Sequence, residues 1–223
     1  MTRVVVLGVG GLGCPAAQLL AESGRSLELL LVDDDVVEAS NLSRQLLFRP
    51  ADLGQPKAAA AARRLSGPGP APVYFEKIRF SGANAAALVR GAAVVLDATD
   101  NFETRFLAND TCLEAGVPLV HGAALGWEGR LLTILPGRSA CLRCLFEGPP
   151  EGPGPTCAEA GVASPLCGLV GAAMARAALQ VLDAAPEAGV LQRWNGRTGA
   201  TRPLALRPDP SCRCGILSPC PSP

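Results

Sequence analysis

Apolar residues in the first half of this chain fall into short unbroken runs, with amphipathic or alanine-rich stretches between them. Arg3 to Leu7 is apolar, β-branched and ended by glycine, which reads as a strand buried on both faces. Leu27 to Val32 and Ala93 to Leu96 also read as buried strands, and Val73 to Ile78 and Pro118 to His121 as strands. Between them, Leu12 to Ser23 (closed by Gly24), Gln55 to Leu65, Ala83 to Arg90 and Thr104 to Ala115 read as helices, and Ser66 to Pro72 as a turn segment. Buried strands alternating with helices predict an α/β fold with a doubly wound, mostly parallel sheet. After Gly122 the pattern changes. Gly129 to Leu135 reads as a hairpin strand, Gln192 to Leu206 as a second hairpin, Gly148 to Pro155 as a mobile Gly/Pro segment, and Leu166 to Leu182 as a long helix of small residues. Pro208 to Pro223 has no regular pattern.

Composition narrows the class. The 223 residues suffice for one substantial domain, here a single unit spanning 1–223. Lys plus Arg and Asp plus Glu number 20 each. That balance, with no basic patch in the sequence, argues against nucleic acid or an anionic membrane as partner. Leu166 to Leu182 lies in the most apolar stretch, interrupted by Arg176 and Gln180, so no membrane span is expected. His121 is the one histidine, which disfavours histidine triads and multi-histidine metal sites. Nine cysteines, an odd number with one Cys-x-x-Cys pair and no secretory pattern, point to a reducing cytoplasm with metal-binding or reactive thiols.

The chemistry-bearing motifs come in a fixed chain order. Gly8, Gly10, Gly11 and Gly13 follow the first strand and open the first helix. Such a loop lets the backbone approach a phosphate at a helix N-terminus. Asp33, at the end of the second strand, stands where an acid accepts hydrogen bonds from ribose hydroxyls. These two features alone fit a nicotinamide-dependent oxidoreductase. Asn41, Arg44 and Lys57 favour a triphosphate instead, because cations there neutralise its charge and the charge that develops at the α-phosphorus. Asp97, Asp100 and Asn101 end the Ala93 to Leu96 strand. Asp100 is the better candidate for holding Mg²⁺, while Asp97 caps the turn or shares that role. Cys141 and Cys144, with Cys212 and Cys214 about seventy residues later, offer four thiolates for a tetrahedral zinc. Cys157, beside the Gly/Pro segment, is a candidate nucleophile. Cys14, Cys112 and Cys167 sit in apolar contexts and read as core.

Taken together, these motifs resemble those of the ubiquitin-activating-enzyme-like adenylyltransferases, and most nearly the bacterial enzymes that activate ubiquitin-fold sulfur carriers. The runs Gly8 to Gly13, Asp33-x-Asp35, Ser40-Asn41-Leu42-x-Arg44-Gln45, Gly54-Gln55-Pro56-Lys57, Ala98-Thr99-Asp100-Asn101 and Ala160-Gly161-Val162-x-x-Pro165 carry the resemblance. It implies a Rossmann-like sheet extended by antiparallel strands, with a nucleotide-binding half at about 1–122 and a carrier-binding and zinc half at about 123–215. It implies ATP, Mg²⁺ and structural zinc, a homodimer, and a carrier protein ending in Gly-Gly that is adenylated at its C-terminal carboxylate with loss of pyrophosphate. A sulfurtransferase or cysteine desulfurase would then supply sulfur.

Mapped onto this sequence, the resemblance puts Gly11 on the nucleotide and Asp33, with Asp35, toward the ribose. Asn41, Arg44 and Lys57 hold phosphates, with Ser40 and Gln45 also in the nucleotide-binding set; Asp100 binds the magnesium with Asn101 beside it, and Cys157 matches a loop cysteine that links covalently to the carrier in some members. Such members also carry, ahead of the first strand, an arginine that enters the partner subunit's ATP site. Here the first strand begins at residue 3, which motivates a second expectation: a relative that binds a carrier but adenylates it weakly.

Overall fold

The computed structural model describes residues 1–67, 71–146, 148 and 161–215. The expected Gly/Pro segment, apart from Gly148, and Cys157 lie outside the described residues, as do 216–223 of the irregular tail.

One eight-stranded sheet organises the chain, in the order β3-β2-β1-β4-β5-β6-β7-β8. β1 (Thr2–Leu7), β2 (Leu27–Val32), β3 (Val73–Glu76), β4 (Val94–Asp97) and β5 (Leu119–Leu125) pair in parallel. β6 (Glu128–Ile134), β7 (Val190–Asn195) and β8 (Thr201–Ala205) extend the sheet antiparallel. The apolar runs 4–7 of β1, 29–32 of β2 and 94–96 of β4 follow from burial on both faces. α1 (Gly13–Ala21), α2 (Lys57–Leu65) and the 19-residue helix α6 (Ser164–Leu182) cover one face. α3 (Ala85–Val89), α4 (Phe102–Ala115) and the one-turn helix α5 (Leu142–Leu145) cover the other.

β5 is longer than the sequence reading, which ended it at His121. It runs through Gly122 to Leu125 because the missing side chain of Gly122 makes room for Met174 of α6. Length and composition alone would let α6 cross a membrane. It is instead packed into this fold: Gly171 lies against Leu12 and Pro15 of the α1 segment, and Val170 fills the space over Gly129 of β6.

Candidate functional site

Strand order reverses between β2 and β4, on either side of β1, and open α/β sheets bind ligands outside the strand ends at such a point. A cleft of about 480 Å³ lies there. Gly8, with φ +84°, turns the chain out of β1, and a Cβ there would stand only 3.0 Å from the Ala98 carbonyl oxygen just past β4. Gly13 packs against the Gly8 carbonyl so closely that any Cβ would overlap it. This contact draws the N-terminus of α1 tight against the loop.

Asp33, at the end of β2, accepts a 2.6 Å hydrogen bond from the Val9 N–H and a 2.9 Å bond from the Asp35 N–H. Burial pushes its carboxyl above the ordinary value, against the pull of the Val9 N–H and the Lys57 charge. The buried Lys57 ammonium opens α2 and lies 2.7 Å from Asp35 Oδ2. The 3₁₀ turn at Ala39–Asn41 presents Asn41, Arg44 and Gln45 to the cleft. Gln45 is 3 % exposed, and its Oε1 has no hydrogen-bond partner among the described residues.

Of the residues expected to hold a nucleotide, Gly8, Gly10, Gly11, Asp33, Asp35, Asn41, Arg44, Gln45, Lys57, Asp100 and Asn101 all line the cleft. Gly13 and Ser40 do not. Gly13 is buried beneath the loop, and Ser40 is exposed, with its hydroxyl turned to Glu38. Asn101 is also the N-cap of α4: its Oδ1 accepts the Thr104 N–H at 2.9 Å. Asp97 takes the capping role allowed for it, accepting both the Thr99 N–H and hydroxyl. Cys167, expected in the core, is buried beneath Gly11 and contributes to the cleft lining.

Sequence reasoning missed Arg105. Its guanidinium donates to the Thr99 carbonyl at 2.9 and 3.1 Å, beside Asp100. An available signal was a cation in the first turns of a helix, where the macrodipole favours acids.

A second, largely apolar cavity of about 250 Å³ adjoins the cleft and shares Asp100, Arg105, Ala123 and Ala124 with it. Phe102, Phe106, Leu132, Leu142 and Leu191 are among its walls, and Glu128 and Arg130 also line it.

On the α4 side, Cys141 precedes α5, Cys144 lies within it, and Cys212 and Cys214 flank Arg213 at the final 3₁₀ turn. The four sulfurs lie within 4.8 Å of one another, with Cys144–Cys214 at 3.4 Å, Cys141–Cys212 at 3.6 Å and Cys141–Cys144 at 3.9 Å. A tetrahedron of Zn–S bonds near 2.3 Å has edges of about 3.8 Å, a length that these three separations bracket. Burial pushes the Cys141 thiol up to about 11, and the adjacent thiols add to the shift. A bound cation would reverse that tendency by favouring thiolates.

The model of the ThiF family matches residues 1–214. The chain is 44 % identical over 220 residues to the SAMP-activating enzyme E1 of Haloferax volcanii, covering 96 % of this chain and 80 % of that protein. It is 40 % identical over 222 residues to the sulfur carrier protein adenylyltransferase of Thermus thermophilus, covering 95 % and 82 %. Among solved structures, E. coli MccB with MccA-N7isoASN superposes with a TM-score of 0.84 at 21 % identity, over 96 % of this chain and 67 % of that one, a likeness of fold.

Proposed function

This chain belongs to the ThiF family and is a nucleotidyltransferase, and from that premise we propose that it adenylates the C-terminal glycine carboxylate of a small ubiquitin-fold sulfur carrier. The observation that carries this reading is the junction of the two cavities at Asp100, Arg105, Ala123 and Ala124. One cavity is polar and lined by nucleotide-type groups, and the other is apolar and leads away from it. A chain end without bulky side chains fits past the two alanines, and its carboxylate arrives beside a cation. The activities in the names of the Haloferax and Thermus relatives support the same substrate class.

In this reaction a carboxylate oxygen attacks the α-phosphorus of ATP. The new O–P bond forms as the bond to the bridging oxygen breaks, and pyrophosphate leaves with that electron pair. Asp33 accepts from ribose hydroxyls, and the unpartnered Gln45 Oε1 accepts from a donor on the nucleotide. Lys57 and Arg44 stabilise negative charge as it builds on the phosphates, an electrostatic role that counts most in a water-poor cleft. Asp100 and the cleft's exposed carboxylates suit magnesium, which supplies further neutralisation of the triphosphate. Cys141, Cys144, Cys212 and Cys214 suit a structural zinc that ties the chain after β8 to α5. The acyl adenylate then requires a sulfur donor, of the sulfurtransferase or cysteine desulfurase class.

The test is ATP–pyrophosphate exchange with Mg²⁺, with and without the host's ubiquitin-fold proteins ending in Gly-Gly. Exchange that depends on one of them is the expected result. Folded, ATP-binding protein that exchanges with none would overturn adenylation and leave a carrier-binding relative.

A further inference from the structure

Arg130, Arg193 and Arg202 stand in one row across three strands. Arg130 is the register partner of Arg193 in the β6–β7 pair, and Arg193 is the register partner of Arg202 in the β7–β8 pair. Register partners share a face of the sheet, with Cβ atoms about 4.5–5.5 Å apart, and like charges directly opposite destabilise the pairing. All three arginines are exposed. Among the described residues, the one carboxylate within ion-pair distance of the row is Glu128, 4.0 Å from Arg193. Glu128 also accepts a 2.9 Å hydrogen bond from Asn195. The chain as a whole has no net charge, so this row is a local concentration and not a sample of a basic surface.

Its neighbours on the same face indicate what it faces. Two residues along each strand, Leu132, Leu191 and Leu204 form a parallel apolar row of register partners. Leu132, Leu191, Arg130 and Glu128 line the apolar cavity that ends at Asp100. Leu204 and Phe146 are 50 % and 45 % exposed. Leu132 and Leu191 are buried, so the apolar row surfaces at Leu204, near the exposed Phe146. A cationic row beside that exposed apolar end, next to a cavity that runs to the reaction site, has the arrangement of an interface with a polar rim and an apolar centre.

We infer that Arg130, Arg193 and Arg202 dock the acidic face of the ubiquitin-fold carrier, with Leu204 and Phe146 beneath its apolar centre and its C-terminal tail entering the adjoining cavity. This inference rests on the function proposed above and names the surface chemistry of the partner. Docking of this kind acts on encounter and is screened by salt.

The experiment measures the carrier's KM and kcat in ATP–pyrophosphate exchange at rising NaCl, for the wild-type chain, Arg193→Gln/Arg202→Gln and Arg193→Glu/Arg202→Glu. ATP binding by calorimetry serves as the control. The expected result is a carrier KM raised about tenfold in the neutral pair and further in the reversed pair. kcat should stay within about twofold, ATP affinity should be unchanged, and salt should raise the wild-type KM more than the neutral pair's. Carrier-dependent exchange whose KM and salt response are the same in all three proteins would overturn the docking row while leaving adenylation standing. If the wild type exchanges with no carrier, direct binding of the same carrier proteins decides. Salt-sensitive binding lost in the reversed pair supports the row, and no binding overturns it.

Discussion

Asp97 and His121 are register partners on β4 and β5, and Asp97 Oδ2 lies 2.7 Å from His121 Nδ1 in the buried sheet. Complete burial is the largest single influence on the Asp97 carboxyl and pushes its pKa up. The His121 hydrogen bond and charge, the Arg105 charge and the Thr99 hydroxyl together outweigh burial and hold it below the ordinary carboxylate value. A carboxyl whose folded pKa is depressed adds stability that is fully present above the unfolded value, about 3.9, and lost as pH falls through the lower folded value. Urea unfolding followed from pH 6 downward should therefore show stability falling through that window. Asp97→Asn should flatten the part of the slope this residue contributes, and an unchanged slope would remove Asp97 as a source of acid lability.

Two glycines of the loop should respond differently to a methyl group. At Gly13 a Cβ would overlap the Gly8 carbonyl oxygen, and neither backbone segment has room to retreat. At Gly11 the nearest atom to a Cβ is the Cys167 sulfur at 3.1 Å, a side-chain contact that a small shift relieves. Gly13→Ala is expected to lower stability by about 2–4 kcal/mol, in the range of overpacking and backbone strain. Gly11→Ala should stay within about 1 kcal/mol of wild type while weakening ATP binding, since Gly11 faces the cleft. Chemical denaturation with parallel calorimetry separates the two outcomes, and equal destabilisation by both would contradict this account of the loop.

The parallel half of the fold was legible because its central strands carry apolar runs, at 4–7, 29–32 and 94–96, and the loops between elements carry glycine or an N-cap such as Asn101. The cysteine cluster was legible through spacing. Other features required the third dimension. The one-turn helix holding Cys144 is too short to show periodicity, and Gly122 looks like a strand end until Met174 is seen filling its space. The second cavity is assembled from α4, β5, β6 and β7, so no local stretch announces it. The arginine row exists only in the register of β6, β7 and β8. Arg130, Arg193 and Arg202 are unremarkable along the sequence and become neighbours only once the strands pair.

Lys57 and Asp100 divide the expected effects on catalysis. Asp100 is exposed at the edge where the two cavities meet, so Asp100→Ala should change stability by no more than about 0.5 kcal/mol and abolish measurable exchange. Lys57 is buried and paired with Asp35 at 2.7 Å. Lys57→Ala should lower kcat by about 10²–10³, the effect of removing one preorganised donor. It should also leave Asp35 without its nearest cation. Steady-state exchange with thermal unfolding of both variants makes the comparison. Normal exchange in folded Asp100→Ala protein would take Asp100 out of the mechanism.

The four cysteines are expected to hold about one zinc per chain, by elemental analysis of protein purified without chelator. Three of their sulfur–sulfur separations are already near a tetrahedral edge, and the Asp209 N–H donates to Cys144 Sγ at 3.4 Å, an outer hydrogen bond that favours the thiolate a metal needs. The site joins α5 to the chain after β8, two segments about seventy residues apart. Cys141→Ser should lose the metal and lower the unfolding midpoint by at least about 5 °C, as expected for a loss of about 2 kcal/mol at this chain length. Because metal and folding are linked, a strong chelator should reproduce the shift in wild type and have no effect on Cys141→Ser. Metal-free wild-type protein with the same midpoint as the metal-loaded form would show that the cluster acts as packed thiols.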